Sequence, residues 1–254
     1  MQGLYRMKYF LEVKYLGTNY GGFQVQQNAI TIQSEVERVM AIFFKTPIKL
    51  TGASRTDAGV HARQNFFHFT HSAVILPRVL YNLNAMLPND IAVIAILPVG
   101  DTAHSRFDAV SREYCYYLYT QKDPFLYQTA WYYPYLLNLE VLQQAASLLM
   151  EYTDFTSFAK RNSQVHTHNC TLFKSHWQQQ GNSLVYNVKA NRFLRGMVRG
   201  LVGTMLQVGR GTNTIKEFRQ IIEAKDCTKA NFTTPPQGLF LHAVEYPPGL
   251  VSVV

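Results

Sequence analysis

The segment GASRTDAGVHA, residues 52–62, places an arginine and an aspartate two positions apart, just ahead of a glycine. Arg55 can keep the Asp57 carboxylate ionised and oriented, because an adjacent guanidinium lowers a carboxyl pKa and fixes its rotamer. A carboxylate held in this way can act as a nucleophile or a base. The alternative, which is commoner for acidic residues near glycine, is a turn in which Asp57 accepts a backbone N–H.

A second group of charged residues lies late in the chain, where Arg192, Arg195 and Arg199 are spaced three and four apart. The apolar spacing in FLRGMVRGLVGTMLQV, residues 193–208, predicts a helix. On that helix the three arginines would form one basic stripe opposite the apolar face, suited to binding a polyanion. For Arg192 and Arg195 the alternative is a solvated charged face.

Two further motifs give weaker signals. His166, His168 and Cys170 alternate as on one face of a strand, but no second ligand cluster completes a tetrahedral metal site, so we predict a polar strand segment and no metal. The sequence Gly-Arg-Gly at 209–211 lacks the Gly-Lys-Ser/Thr ending of a phosphate-binding loop. A nucleotide cofactor is therefore not expected.

The charge of the chain favours a polyanionic partner. Its 254 residues include 24 Lys and Arg against 16 Asp and Glu, which gives a formal net charge of +8 and a pI near 9.3. A basic surface attracts nucleic acid at long range, although a mildly basic protein needs no such partner. The 16 Tyr and 16 Phe provide core filling and stacking surfaces for unpaired bases.

The cysteines and hydropathy indicate a soluble protein of the reducing cytoplasm. Cys115, Cys170 and Cys227 are an odd number with wide spacing, so a disulfide framework is not expected. No apolar run approaches the roughly 20 residues that cross a bilayer, and we expect no secretory leader before Lys8.

The elements that must position Asp57 follow from periodicity. KYFLEVKYLG predicts a half-buried strand, and GTNYGGFQVQQNAIT predicts a loop. A helix capped by Thr31 and ending near Lys45 comes next, followed by strand, loop and strand over residues 48–71. With a helix ending before Pro88 and the strand IAVIAILPV, the order becomes β-α-β-β-α-β, typical of a ferredoxin-like lobe.

The second half repeats this order. SREYCYYLYT predicts a strand, Asn138 caps a helix, and residues 170–190 predict a hairpin turning at Gly181. Thr214 and Glu217 form a capping box before a last helix. We therefore predict two similar α/β lobes, 1–104 with the Asp loop and 105–254 with the late arginines.

Several blocks resemble one enzyme family. GASRTDAGVHA is similar to the signature of the tRNA pseudouridine synthase A family, whose usual form is close to Gly-Arg-Thr-Asp-Ala-Gly-Val-His-Ala. The chain also resembles that family, in order over nearly its whole length, in these blocks: YLGTNYGGFQVQ, LNAMLPNDIAV, HSRFDAVSREYCYYLY, FLRGMVRGLVGTMLQVGRG and PPQGLFLHAVEYP.

The resemblance implies a role for each matching residue. Asp57 matches the catalytic aspartate that attacks the target uridine, and Tyr114 matches an active-site tyrosine that lies against the uracil ring. Arg55 matches an arginine that helps to draw the uridine out of the stack, and Arg199 one that pairs with the catalytic carboxylate. His61 lies inside the signature, where a structural hydrogen bond is its expected role.

The resemblance also implies the fold and the partners. The fold class is α/β (α+β): two ferredoxin-like lobes of mostly antiparallel mixed sheet, flanked by helices, with a basic central cleft. The implied reaction is isomerisation of uridine to pseudouridine at positions 38–40 of the tRNA anticodon stem-loop, by a homodimer that needs no cofactor. Attack at C1′, attack at the base and elimination all require the same carboxylate.

Three positions depart from the family pattern: Ser54 replaces the usual Gly, Gly200 an Asn that is often present, and Ala103 a residue that is commonly aromatic. They leave substrate details open more than the reaction. The remaining alternatives are a pseudouridine synthase acting on another RNA and a non-catalytic RNA-binding module.

Overall fold

A computed structural model describes residues 7–161 and 165–251. The chain divides into two compact units, Met1–Val110 with Leu241–Val254, and Ser111–Phe240. This grouping joins the C-terminal segment to the first unit, whereas the division into lobes 1–104 and 105–254 stays a prediction. Within the described ranges, no helix is long and apolar enough to cross a membrane.

The first unit has the predicted β-α-β-β-α-β order. Its elements are β1 (Met7–Tyr15), α1 (Ile32–Phe44), β2 (Thr51–Gly52), β3 (His61–His71), α2 (Arg78–Met86) and β4 (Ile91–Val99). The strands run β4-β1-β3-β2 and every neighbouring pair is antiparallel. Because β2 pairs with β3, the connection between them, residues 53–60, links two neighbouring strands.

Local signals set the limits of α1. The Thr31 side chain accepts the Ser34 N–H, and the Ser34 side chain accepts the Thr31 N–H in return, which completes a capping box. The helix ends at Lys45, whose φ of 53° is left-handed, ahead of Pro47. The predicted cap and end are both confirmed.

The strand β1 is buried on both faces near its start, which differs from the half-buried strand predicted. Tyr9, Leu11 and Val13 face one side of the core, as the alternation requires. Phe10 points to the other face and is also buried, because the Tyr246 ring of the C-terminal segment packs over it with ring centroids 5.1 Å apart.

The described part of the second unit contains three main strands, one short strand and three α-helices. Its elements are β5 (Ser111–Tyr119), β6 (Trp131–Tyr132), α3 (Leu139–Leu148), β7 (Leu172–Gln180), β8 (Ser183–Ala190), α4 (Met197–Gly209) and α5 (Ile215–Glu223). The order β5-β8-β7 is antiparallel, and β6 adds a short parallel pairing to β5. A last strand, β9 (Leu239–Glu245), spans the division between the units. The mostly antiparallel α/β class is confirmed.

The predicted caps and turn of this unit are also confirmed. Asn138 accepts the Val141 N–H, Thr214 and Glu217 form a capping box, and Gly181 turns the hairpin with a φ of 59°. The prediction of a polar strand at residues 166–170 is wrong. That segment precedes β7 and pairs only through an isolated bridge between Asp154 and Asn169.

The predicted arginine stripe is also wrong, because α4 begins at Met197. Gly196 stands at the N-cap with a φ of 72°, a left-handed conformation that no α-helix continues through. The Arg195 carbonyl is bound instead by the Lys160 N–H at 2.9 Å. Arg192 and Arg195 therefore lie on the loop ahead of the helix, and Arg199 alone of the three is helical.

Candidate active site

The Asp57 loop is anchored by residues on both of its sides. The Thr56 side chain is buried at 7% exposure, Asp57 is half-buried and Arg55 is exposed. The Ala53 N–H donates to the Phe66 carbonyl at 2.7 Å, which fixes the start of the loop to β3. The buried Thr56 side chain thus lies between two side chains that reach the surface, Arg55 and Asp57, on a loop whose backbone is hydrogen-bonded to β3.

A turn follows Asp57 directly. The Val60 N–H donates to the Asp57 carbonyl at 3.2 Å, and Gly59, between them, has a φ of 76°. This conformation favours glycine, so the Asp-Ala-Gly order has a backbone cause. The backbone turn that was the alternative to a catalytic role is therefore present. Among the described residues, however, the Asp57 carboxylate accepts no backbone N–H from this turn.

The Asp57 carboxylate has no hydrogen bond or ion pair within the part of the chain that the structure describes. The predicted pairing of Arg55 with Asp57 is therefore wrong for this structure, because Arg55 extends to solvent. What holds the carboxylate in place is its backbone. Chemically, this is a half-exposed carboxylate with its oxygen lone pairs available to a substrate.

The first loop of the unit packs directly on the Asp57 loop. The Phe23 N–H donates to the Thr56 carbonyl at 3.1 Å, and the Phe23 ring stacks on Phe67 of β3 with centroids 4.5 Å apart. At Gly22, whose φ is 109°, an added Cβ would stand 3.1 Å from the Thr56 carbonyl oxygen. Two blocks that are far apart in sequence, 15–26 and 52–62, are thus neighbours here.

His61 has the structural role that was predicted. The ring is fully buried, and its Nδ1 accepts the Gly17 N–H at 2.9 Å, which ties the start of the first loop to β3. An Nδ1 that accepts a backbone N–H belongs to the tautomer whose proton is on Nε2.

Sequence reasoning missed the polar groups beneath the loop. The Asn65 amide donates to the Ser54 carbonyl at 2.9 Å and to the Tyr15 hydroxyl at 3.2 Å, and that hydroxyl lies 2.8 Å from Thr56 Oγ1. The available signal was the amide of Asn65 directly ahead of the apolar pair Phe66 and Phe67, since a buried amide must be hydrogen-bonded.

The second unit carries Tyr114 near the middle of β5. Its side chain is 9% exposed, and its ring meets the edge of Phe193 with centroids 5.0 Å apart at an interplanar angle of 83°. Phe193 lies between Arg192 and Arg195 on the loop ahead of α4. Tyr114 and the two loop arginines are therefore brought into one region of this unit.

Arg199 is held on α4 by a segment that the sequence analysis did not single out. Its Nε donates to the Thr234 carbonyl at 2.6 Å, and the Thr234 hydroxyl donates to the Arg199 carbonyl at 2.9 Å. The Asn231 N–H donates to Thr204 Oγ1 at 3.0 Å, one turn further along the helix. We call residues 231–234 the strap.

The strap explains the glycine at position 200. A Cβ there would stand 2.8 Å from the Phe232 ring, so an asparagine at this position would collide with the strap. The other two departures are buried in the first unit. The Lys8 ammonium donates a hydrogen bond to the Ala103 carbonyl at 3.0 Å. The Ser54 hydroxyl has no hydrogen-bond partner among the described residues.

The His166–Cys170 segment does not assemble a metal site in the described ranges, where no group of three His, Cys, Asp or Glu residues could hold an ion. Burial raises the pKa of the Cys170 thiol to about 11, and Arg192 opposes the rise. The thiol is therefore protonated at neutral pH.

Comparison with known families gives the class of the protein. Residues 145–247, which include Arg192, Arg195, Arg199 and the strap, match the family model described as tRNA pseudouridine synthase. The described fold, mostly antiparallel sheet flanked by helices, is consistent with that class.

Full-length relatives make the assignment more specific. A tRNA pseudouridine synthase A of Parabacteroides distasonis is 46% identical over 248 residues, covering 97% of this chain and 98% of the relative. Proteins of the same name from Bacteroides thetaiotaomicron and Staphylococcus aureus are 41% and 34% identical, over 96% and 94% of this chain and 93% and 91% of their own lengths. The chain belongs to the tRNA pseudouridine synthase A family.

Proposed function

We propose that this protein isomerises uridine to pseudouridine in the anticodon stem-loop of tRNA, at the positions conventionally numbered 38 to 40. That it is an isomerase acting on tRNA uridine follows from its family. The position within tRNA rests on the resemblance of the signature and its neighbouring blocks. The observation that carries the mechanism is the Asp57 carboxylate, half-exposed on an anchored loop.

Asp57 is proposed as the nucleophile. In attack at C1′, the carboxylate displaces N1 of uracil, the base turns, and C5 bonds to C1′ as the Asp57 oxygen leaves. The C5 proton is then lost and N1 is protonated, so the product is an isomer of the substrate. Attack on the base and elimination are the competing routes, and both use the same carboxylate. No route involves a net redox change, so we propose that no cofactor is needed.

The other site residues are proposed to act on the uridine and its phosphates. Tyr114 lies against the uracil ring, a role that rests on its match to the family's active-site tyrosine. Arg55 is exposed beside Asp57 and can offset the few kcal/mol that unstacking a nucleotide costs. Arg192 and Arg195, on the loop ahead of α4, bind phosphate, and Arg199 is proposed to pair with the catalytic carboxylate during the reaction.

The assembly and location are proposed from the same resemblance. We propose a homodimer, testable by light scattering, that works in the cytoplasm. The net charge of +8 supports an extended contact with RNA. Because binding then releases counterions from tRNA, the dissociation constant should rise steeply with salt.

The decisive experiment measures tritium released from C5 of uridine in a tRNA transcript, in buffer without cofactor or added metal. Asp57→Asn should still bind the tRNA yet lose at least about 1,000-fold in single-turnover rate, because an amide is a far weaker nucleophile. Asp101→Asn, at an exposed aspartate of the same unit, serves as the matched control and should release tritium like the wild type.

Transcripts in which the uridines at 38, 39 and 40 are replaced by cytidine, singly and together, test the position. Release that persists without these three uridines would reject the anticodon assignment and favour another RNA site. Substantial turnover by Asp57→Asn would reject Asp57 as the nucleophile. Binding without release by the wild-type protein would favour the non-catalytic module.

A further inference from the structure

The Asp57 loop rests on a group of polar side chains that the signature does not contain. Tyr15 is the last residue of β1 and Asn65 lies in β3, and both are buried, at 4% and 0% exposure. The pairing of β1 with β3 shifts register between Val13 and Tyr15. Such irregularities re-aim side chains, and here the Tyr15 hydroxyl reaches Thr56.

The hydrogen bonds of Asn65 have assigned directions. Asn65 Nδ2 donates to the Ser54 carbonyl and to the Tyr15 hydroxyl, while Asn65 Oδ1 accepts the Phe66 N–H at 2.9 Å. The Tyr15 hydroxyl also forms a hydrogen bond with Thr56 Oγ1, 2.8 Å away, in which either oxygen can be the donor. Both amide hydrogens and the carbonyl of Asn65 are thus occupied, which fixes its orientation.

We propose that Tyr15 and Asn65 are positioning residues for Asp57, acting through Ser54 and Thr56. Within the described ranges nothing binds the carboxylate itself, so its location is set by the backbone on either side of it. Thr56 is adjacent to Asp57 and is held by its side chain to Tyr15 and by its carbonyl to Phe23. The inference rests on the proposed function, in which Asp57 is the nucleophile.

Removing the Tyr15 hydroxyl should therefore act on chemistry more than on tRNA binding. In Tyr15→Phe, the Thr56 hydroxyl and one amide hydrogen of Asn65 lose their partner. A displacement of about 1 Å at a reacting group costs on the order of 100-fold in rate, so we expect a single-turnover rate about 10- to 100-fold lower at saturating enzyme. The dissociation constant for tRNA should stay within about twofold, since no phosphate contact is removed.

The same strand offers a matched control. Tyr9 lies on the same face of β1, is equally buried, and has its hydroxyl 3.4 Å from the Ala73 carbonyl and 3.3 Å from the Ile75 nitrogen, remote from the Asp57 loop. Tyr9→Phe removes a hydroxyl from a comparable site and should leave the rate unchanged. Equal rate losses in Tyr9→Phe and Tyr15→Phe would overturn the inference.

A pair of substitutions at Thr56 provides the second test, which stands even if Tyr15→Phe fails to fold. Thr56→Ser keeps the hydroxyl that contacts Tyr15 and should retain most of the wild-type rate. Thr56→Val keeps the shape of the side chain but loses the hydroxyl, so its rate should be lower. Equal rates for the two variants would overturn the inference. A wild-type rate for Tyr15→Phe beside an inactive Asp57→Asn would refute the positioning role alone, while an active Asp57→Asn would refute the proposed function.

Discussion

A single methyl group at position 203 should loosen the strap that holds Arg199. Gly203 lies in the middle of α4, where replacement of glycine by alanine normally stabilises a helix by about 1 kcal/mol. Here an added Cβ would stand 2.6 Å from Thr234 Oγ1 and closer still to the Asn231 carbonyl oxygen, while ordinary contact begins at 3.4 Å. Ordinary contact therefore requires Thr234 Oγ1 to move by 0.8 Å, the difference between 3.4 and 2.6 Å, and the Asn231 carbonyl oxygen must move farther.

The energetic balance favours destabilisation. Forcing a methyl group into packed structure costs about 1–3 kcal/mol. Loss of the hydrogen bond from the Asn231 N–H to Thr204 Oγ1 adds about 1 kcal/mol. After the gain of about 1 kcal/mol in helix propensity is subtracted from these costs, Gly203→Ala should lower the free energy of unfolding by about 1–3 kcal/mol. The activity should fall as well, because the Thr234 carbonyl binds Arg199 Nε.

Urea denaturation and single-turnover tritium release measure the two effects on one preparation. Gly100→Ala is the control, because no heavy atom beyond its two chain neighbours lies within 4 Å of a Cβ at that position. It should change the free energy of unfolding by less than about 1 kcal/mol and leave the rate unchanged. A Gly203→Ala protein that is more stable than the wild type by about 1 kcal/mol would show that the strap moves without an energetic cost. That result would refute the predicted destabilisation.

Two further predictions concern a buried and a half-buried polar group of the first unit. Ser54 is 8% exposed and its hydroxyl has no partner among the described residues, so Ser54→Ala should raise the free energy of unfolding in urea by about 1 kcal/mol; a loss of stability would mean that the hydroxyl is hydrogen-bonded. Burial, reinforced by His104 and Lys8, lowers the pKa of His68 to about 4. The unfolded chain, with a His pKa of about 6.5, then binds the extra proton, so the stabilisation is complete above about pH 6.5 and is lost as the pH falls towards 4. Thermal unfolding across this range should show that stability falls less steeply with decreasing pH in His68→Asn than in the wild type. Identical pH profiles would contradict the lowered pKa of His68.

The boundaries that the sequence predicted correctly are those set by a few neighbouring residues. Thr31, Asn138 and Thr214 bind backbone N–H groups only three positions away, and Gly181 turns a hairpin within its own segment. Such signals need no tertiary context. The β-α-β-β-α-β order of the first unit followed from hydrophobic periodicity, and the resemblance of whole blocks predicted the family that the comparisons confirmed.

The sequence failed where a local signal was ambiguous. Periodicity ran through Gly196 because Leu194 and Met197 are both buried, although only the second lies on α4. A glycine is compatible with a helix interior in sequence, and only its φ of 72° shows that the helix starts after it. The spacing of Arg192, Arg195 and Arg199 therefore described a helical face that does not exist.

By itself, the sequence determined the chemistry available to this protein: a carboxylate at Asp57, a glycine turn after it, and an excess of cations for RNA. Only the tertiary structure decided how that carboxylate is held. Arg55, its neighbour in sequence, points to solvent, while Tyr15 and Asn65, some 40 and 10 positions away, secure the backbone around it. The physical reason is that a buried hydroxyl or amide must find a partner wherever the folded sheet provides one, and sequence spacing does not encode which strands become neighbours.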